Sequence, residues 1–140
     1  MRIIKARKVC RAEVVKLLQN IGLVEGISLS DTEIETTKKT LFWHGVVRNP
    51  KGRNKTTYVS YYFPSFESKY NADNDDFIRE VMVAIDVFSK KSFDSKDNLD
   101  LLENIENIFK DNGFEVEFAD EIFESETSLF HYPITIYKLY

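Results

Sequence analysis

Apolar positions along the chain fall into two periods, and the change from one to the other outlines the elements. Cys10, Val14, Leu17, Leu18 and Ile21 recur at i, i+4, i+7, i+8 and i+11, one stripe of a helix over about residues 8–21, and Gly22 follows as a stop signal. Residues 24–38 are less regular. Ser30 with Glu33 three positions on has the form of a capping box, and a single helical turn or an irregular loop would both fit. Segments 40–47 (TLFWHGVV) and 56–63 (TTYVSYYF) are rich in β-branched and aromatic residues. Between them Pro50 and Gly52 supply turn chemistry, so the pair is expected to form a hairpin whose second arm ends at Pro64.

Residues 65–75 read as an exposed connection. A long strand is expected over 76–88, with Phe77, Val81, Val83, Ile85 and Val87 on alternate positions, interrupted by Arg79. Met82 and Ala84 on its other face suggest a central strand covered at least partly on both sides. After a polar break over 90–95, Asp97 or Asn98 is placed to cap a helix running to about residue 111. Leu102, Ile105, Ile108 and Phe109 are its buried stripe, and Asn112-Gly113 closes it. Residues 114–118 alternate as a strand with one wet face. An acidic loop (Asp120, Glu121, Glu124, Glu126) precedes a last strand over 129–140, where Pro133 predicts an edge position or a bulge. The expected order is α-β-β-β-α-β-β. This is an α+β fold, a mixed and mainly antiparallel sheet with two helices packed on it, in one domain over residues 1–140.

Composition narrows the class. With 140 residues, 43% hydrophobic and 30% charged, the chain has the make-up of an ordinary globular protein and not of a disordered one. Eleven Phe, seven Tyr and one Trp suit a β-rich core and equally suit interfaces. Cys10 is the only cysteine, so an intramolecular disulfide and a thiolate metal cluster are excluded, and synthesis in a reducing cytoplasm is expected. The start, MRIIKARKVCRAEVV, does not read as a signal peptide, and no run approaches the ~18 apolar residues of a membrane span.

The net charge of −4 hides an uneven distribution. Residues 1–55 hold 12 Lys and Arg against 5 Asp and Glu, whereas residues 56–140 hold 7 against 18. Folding could interleave the two halves and cancel the field; alternatively, a basic face on one copy meets an acidic face on another, which favours register and orientation. Lys5, Arg7, Lys8, Arg11 and Lys16 lie at or before the first helix, so its outer surface is expected to be basic.

Candidate chemistry is sparse. The run Asp73-Asn74-Asp75-Asp76 lacks the glycine and the bidentate glutamate of a calcium loop. Asp86, Glu115 and Glu117 could imitate the carboxylates of a magnesium-dependent enzyme, but no lysine follows in the pattern. His44 and His131 are read as structural, and Cys10 lies on a helical core stripe, away from any nucleophile motif. No phosphate-cradling glycine loop occurs. The expectation is therefore no catalytic residue, no metal and no cofactor. The cations Arg48, Lys51, Arg53 and Lys55 crowd the expected hairpin tip near Trp43, Tyr58 and Tyr61, as a single-strand nucleic-acid contact would require. The acidic balance of the whole chain argues against a dedicated nucleic-acid binder. These four residues are the interface candidates, and a nucleic-acid- or protein-binding module built on them is the alternative function.

Over about residues 56–140 four pieces follow one another: TYVSYYFP, the strand IREVMVAIDVFSK, the helix NLDLLENIENIFKDNGFEV and the closing strand SLFHYPITIYKLY. In that order and spacing they resemble the tail-terminator and tail-completion proteins of long-tailed bacteriophages and prophages. The resemblance implies a non-enzymatic virion protein of the tail-neck region. It would form a ring, typically of six copies, with the tail tube protein and a head-completion or neck protein as further partners. No membrane and no sequence-specific nucleic acid would be involved.

Overall fold

Residues 2–45, 57–64 and 80–140 are described by the structure, a computed structural model. The elements run α1 (Ile3–Asn20), β1 (Val24–Glu25), a 3-10 turn (Gly26–Ser28), α2 (Asp31–Thr36), β2 (Leu41–His44), β3 (Thr57–Tyr62), β4 (Glu80–Ser89), α3 (Lys96–Asp111), β5 (Glu115–Phe118), β6 (Ile122–Glu124) and β7 (Leu129–Leu139). The seven strands form one mixed, mostly antiparallel sheet in the order β1-β2-β3-β4-β7-β5, with β6 also pairing β7. The α+β class is as expected, and β4 is central.

Alternation along β4 divides the sheet into two faces. Val81, Val83, Ile85 and Val87 are fully buried against α1 and α3, while Met82, Ala84, Asp86 and Phe88 are half-buried on the other side. Ala6, Cys10, Val14, Leu17 and Leu18 of α1 join Leu102, Ile105 and Phe109 of α3, and Phe42, Val59, Tyr61, Ile134 and Ile136 of the sheet, in one core. The two helical stripes legible in the sequence thus meet over one sheet face. Helix α1 ends at Asn20, where Gly22 takes a positive φ of 95°, and Gly113 after α3 takes one of 85°.

Residues 24–38 prove to be a two-residue strand, a 3-10 turn and a short third helix. The capping box forms. Ser30 Oγ accepts from the Glu33 N–H at 3.2 Å, and Glu33 Oε1 accepts from the Ser30 N–H at 3.1 Å.

Four expectations are corrected. Strands β2 and β3 pair in parallel, with Leu41 opposite Tyr58 and His44 opposite Tyr61, so they are not the arms of a hairpin. Hairpin arms must be antiparallel, and the residue types of two aromatic strands carry no direction. Strand β7 is not an edge strand, and its register with β4 runs unbroken from Glu80–Leu139 to Ser89–Phe130, without a bulge. Pro133 is tolerated there because its carbonyl accepts from the Ala119 N–H at 3.1 Å. N and C=O of one strand residue point to the same side, so the missing N–H faces the gap between β5 and β6, and no β4 hydrogen bond is lost. The acidic loop contains a strand, β6. Helix α3 starts at Lys96 with Ser95 at its cap position, and Asn98 is buried inside its first turn.

A buried polar network joins that turn to the sheet. Asn98 Nδ2 donates to Ser89 Oγ at 3.0 Å and to the carbonyls of Lys91 and Ser92 at 3.0 and 3.2 Å. Its Oδ1 accepts from the Thr57 hydroxyl at 3.2 Å. At the far side of the sheet Gly26 lies under the Trp43 indole so closely that a Cβ there would run into the ring.

Candidate functional site

Ile4, Arg7, Lys8 and Arg11 stand at i, i+3, i+4 and i+7 on α1, a stripe beside the one that enters the core. With His44, Tyr62 and Phe63 from the C-terminal ends of the parallel strands β2 and β3, they line a cavity of about 350 Å³. Arg7 is fixed at its wall. One of its nitrogens donates to the Phe63 carbonyl at 3.3 Å, and its guanidinium lies 5.1 Å from the centre of the Phe63 ring. His44 stands edge-on to Tyr61 at 4.9 Å. Desolvation and the charges of Arg11 and Arg7 hold the His44 imidazole below its usual pKa, with Glu25 opposing them. Three cations and the depressed histidine mark this cleft as a place of positive potential with an apolar lip.

Three strand spacings away across β4 and β7, roughly 14 Å, the opposite end of the sheet has the reverse character. From Asp111 to Tyr137 there is no lysine or arginine, and Glu115, Glu117, Asp120, Glu121, Glu124 and Glu126 crowd this stretch. Ile122 and Phe123 of β6 are 49% and 56% exposed, and Phe118 of β5 is 37% exposed. The two phenyl rings are held by aromatic contacts, Phe118 against Tyr132 at 5.9 Å and Phe123 against Phe130 at 5.0 Å. The Glu121 carboxylate accepts from the Phe93 N–H at 2.6 Å and from the Ser92 hydroxyl at 3.1 Å, which ties the edge to the loop before α3. The result is an acidic edge with protruding apolar side chains.

A third feature lies on the sheet face away from α1 and α3. His131 Nε2 is 2.7 Å from Asp86 Oδ1, and Nδ1 is 3.0 Å from Glu124 Oε1. Its ring stacks on Phe88 at 4.4 Å, and Phe88 stacks on Tyr58 at 4.9 Å. Burial alone would lower the His131 pKa, but the hydrogen bond and charge of Asp86, with Glu124 adding, leave it raised. This imidazole, held by a carboxylate at each nitrogen, clamps β4, β6 and β7 together.

Asp86 is thus engaged by His131, and it stands two strands from Glu117, whose β7 partner Thr135 is two positions past Pro133, the partner of Asp86. That spacing is about 12 Å, too far for shared coordination of one ion. Among the described residues no group of three His, Cys, Asp or Glu is placed to hold a metal ion. Cys10 is fully buried, and burial pushes its thiol up to about 11, an unreactive setting. Among the described residues no helix is long and apolar enough to cross a membrane. The interface candidates Arg48, Lys51, Arg53 and Lys55, and the run Asp73–Asp76, lie outside the described residues.

The sequence reading found the basic helix and the acidic stretch but missed the cleft and the histidine clamp. The spacing of Ile4, Arg7, Lys8 and Arg11 was a usable signal for the first. The second depends on strand register, which no local pattern carries. Set against known proteins, the chain matches no protein-family profile and no curated protein.

Proposed function

We propose that this chain is a non-enzymatic structural protein of a phage or prophage virion. It forms a ring at the head-proximal end of the tail, and there it ends tail-tube polymerisation, joins tail to head, or does both. The observation that carries the reading is the separation of a basic cleft beside α1 from an acidic, apolar-tipped edge at β5 and β6. A closed ring needs a heterologous contact, in which one patch of a copy meets a different patch of the next. Two unlike surfaces on one rigid sheet supply that requirement, and complementary charge favours a single orientation between them. The resemblance of residues 56–140 to tail-terminator and tail-completion proteins supports the same reading, and the α+β fold with its mixed sheet is compatible with it.

Electron microscopy of tails assembled without this protein tests it. Overlong or headless tails are expected of a terminator, and tails of normal length that fail to attach are expected of a joining protein. Normal, head-bearing tails in its absence would overturn both.

A further inference from the structure

The cleft and the edge complement one another in more than charge. The cleft sets Arg7, Lys8 and Arg11 around an opening whose lip is apolar, formed by Ile4, which is 70% exposed, and by Phe63. Its volume of about 350 Å³ is at the small end of side-chain and ligand pockets. Strand β6 presents two exposed apolar side chains, Ile122 and Phe123, between the exposed carboxylates of Asp120 and Glu126. Two neighbouring carboxylates of that edge, Glu121 and Glu124, are already held by Phe93, Ser92 and His131, so the strand is presented in a fixed shape. An aromatic side chain flanked by carboxylates is what a cation-rimmed, aromatic-walled hollow accepts.

We propose that the cleft between α1 and the ends of β2 and β3 receives the β6 edge of a second copy of this chain. Phe123 of the neighbour enters beside Ile4 and Phe63, while Ile122, on the opposite face of β6, stays outside the opening. Asp120 and Glu126 of the neighbour face Arg7, Lys8 and Arg11. The pairing rests on the ring reading above and gives that ring its contact. Cleft and edge lie at opposite ends of one sheet, so one copy cannot fill its own cleft, and each copy offers one donor and one acceptor.

Charge reversal on the full chain tests the pairing, with sedimentation velocity at rising protein concentration and low salt as the readout. The cleft variant carries Arg7→Glu and Lys8→Glu, and the edge variant carries Asp120→Lys and Glu126→Lys. Each alone should associate about tenfold more weakly than wild type, or worse, because its cleft and edge now share a sign. An equimolar mixture should recover association, since a reversed cleft then meets a reversed edge while the unaltered surfaces also match. A second cleft variant, Ile4→Asp, alters a side chain exposed on the lip and should weaken association where loss of the Arg7 contacts impairs folding. Wild type that associates while every variant associates equally well would overturn the cleft–edge pairing and leave the ring standing. Wild type that stays monomeric at every concentration, or that forms an isologous dimer, would overturn both. Abolition of association by a stoichiometric single-stranded oligonucleotide, with Arg7→Glu/Lys8→Glu preventing its binding, would assign the cleft to a polyanion and overturn the second copy as its occupant.

Discussion

His131 reaches Asp86 diagonally across the β4–β7 ladder, its Nε2 2.7 Å from Oδ1, although the register sets His131 opposite Phe88 and Asp86 opposite Pro133. The contact places an imidazole on a half-buried sheet face, where Glu124 holds the other ring nitrogen. It acts as a proton-dependent fastener between a central strand and an edge.

Stability should therefore depend on pH through both histidines, with opposite signs. The raised pKa of His131 means that the folded state binds the proton more tightly. Its contribution is full below the unfolded value of about 6.5 and is lost as pH rises through the raised folded value. The lowered pKa of His44 acts the other way, withdrawing stability as pH falls below about 6.5, and less so because His44 is exposed. Denaturant midpoints measured from about pH 5 to about pH 9 should fall on the alkaline side. His131→Gln should flatten that fall, and His44→Gln should flatten only the acid side. An alkaline fall unchanged in His131→Gln would show that another group causes it.

Asn98→Ala should destabilise the fold by about 1–3 kcal/mol, because it strips a partner from the buried Ser89 hydroxyl, from the half-buried Thr57 hydroxyl and from the carbonyls of Lys91 and Ser92. Urea unfolding gives the value. A loss within experimental error would mean that water replaces the amide without penalty.

Gly26→Ala should cost about 1–3 kcal/mol through crowding against the Trp43 ring. The chain has one tryptophan, so its fluorescence reports the displacement directly, as emission shifted to longer wavelength. Unchanged emission together with unchanged stability would place the indole elsewhere.

Replacing Arg48, Lys51, Arg53 and Lys55 together with Ser should leave the melting temperature nearly unchanged on the sequence expectation of a solvated turn, since charges in such a setting contribute little to stability. On the proposed function, attachment to tails should weaken at low salt and differ less from wild type at high salt, where screening already reduces the contact. Normal attachment at low salt would remove these residues from the interface. A collapsed melt would make them part of the fold.

What could be read from the sequence was whatever depends on near neighbours along the chain. The stripes of α1 and α3 and the alternation of β4 each follow from burial of one face, and Val83, Ile85, Leu102, Ile105 and Phe109 do share one core. The Ser30–Glu33 box closes within one turn and was legible for the same reason. What could not be read was pairing at a distance. The segments of β2 and β3 carry the aromatic content of a hairpin around Pro50 and Gly52, yet partner choice and direction come from the whole sheet. Pro133 suggested an edge because the residue type reveals the missing donor and not which side of the strand that donor would face. Strand β6 was hidden among acids because it is three residues long and pairs only through β7. The cleft was half legible, since its cations come from one helix and its floor from two strands.

The position of β7 sets the timetable of folding. Strands β4, β5 and β6 all pair with it, and residues 90–128 of the chain lie between it and β4. While residues up to Ser128 emerge from a ribosome, β4 has an open edge and β5 and β6 have no partner in the sheet. The acidic edge therefore takes its final shape only when the last of the three pairings zips up. Such long-range closure makes for slow folding, in the manner of proteins dominated by distant contacts. In the proposed ring it would also keep half-made chains from joining a growing assembly, because the proposed edge does not take shape until residues 129–139 have been laid down.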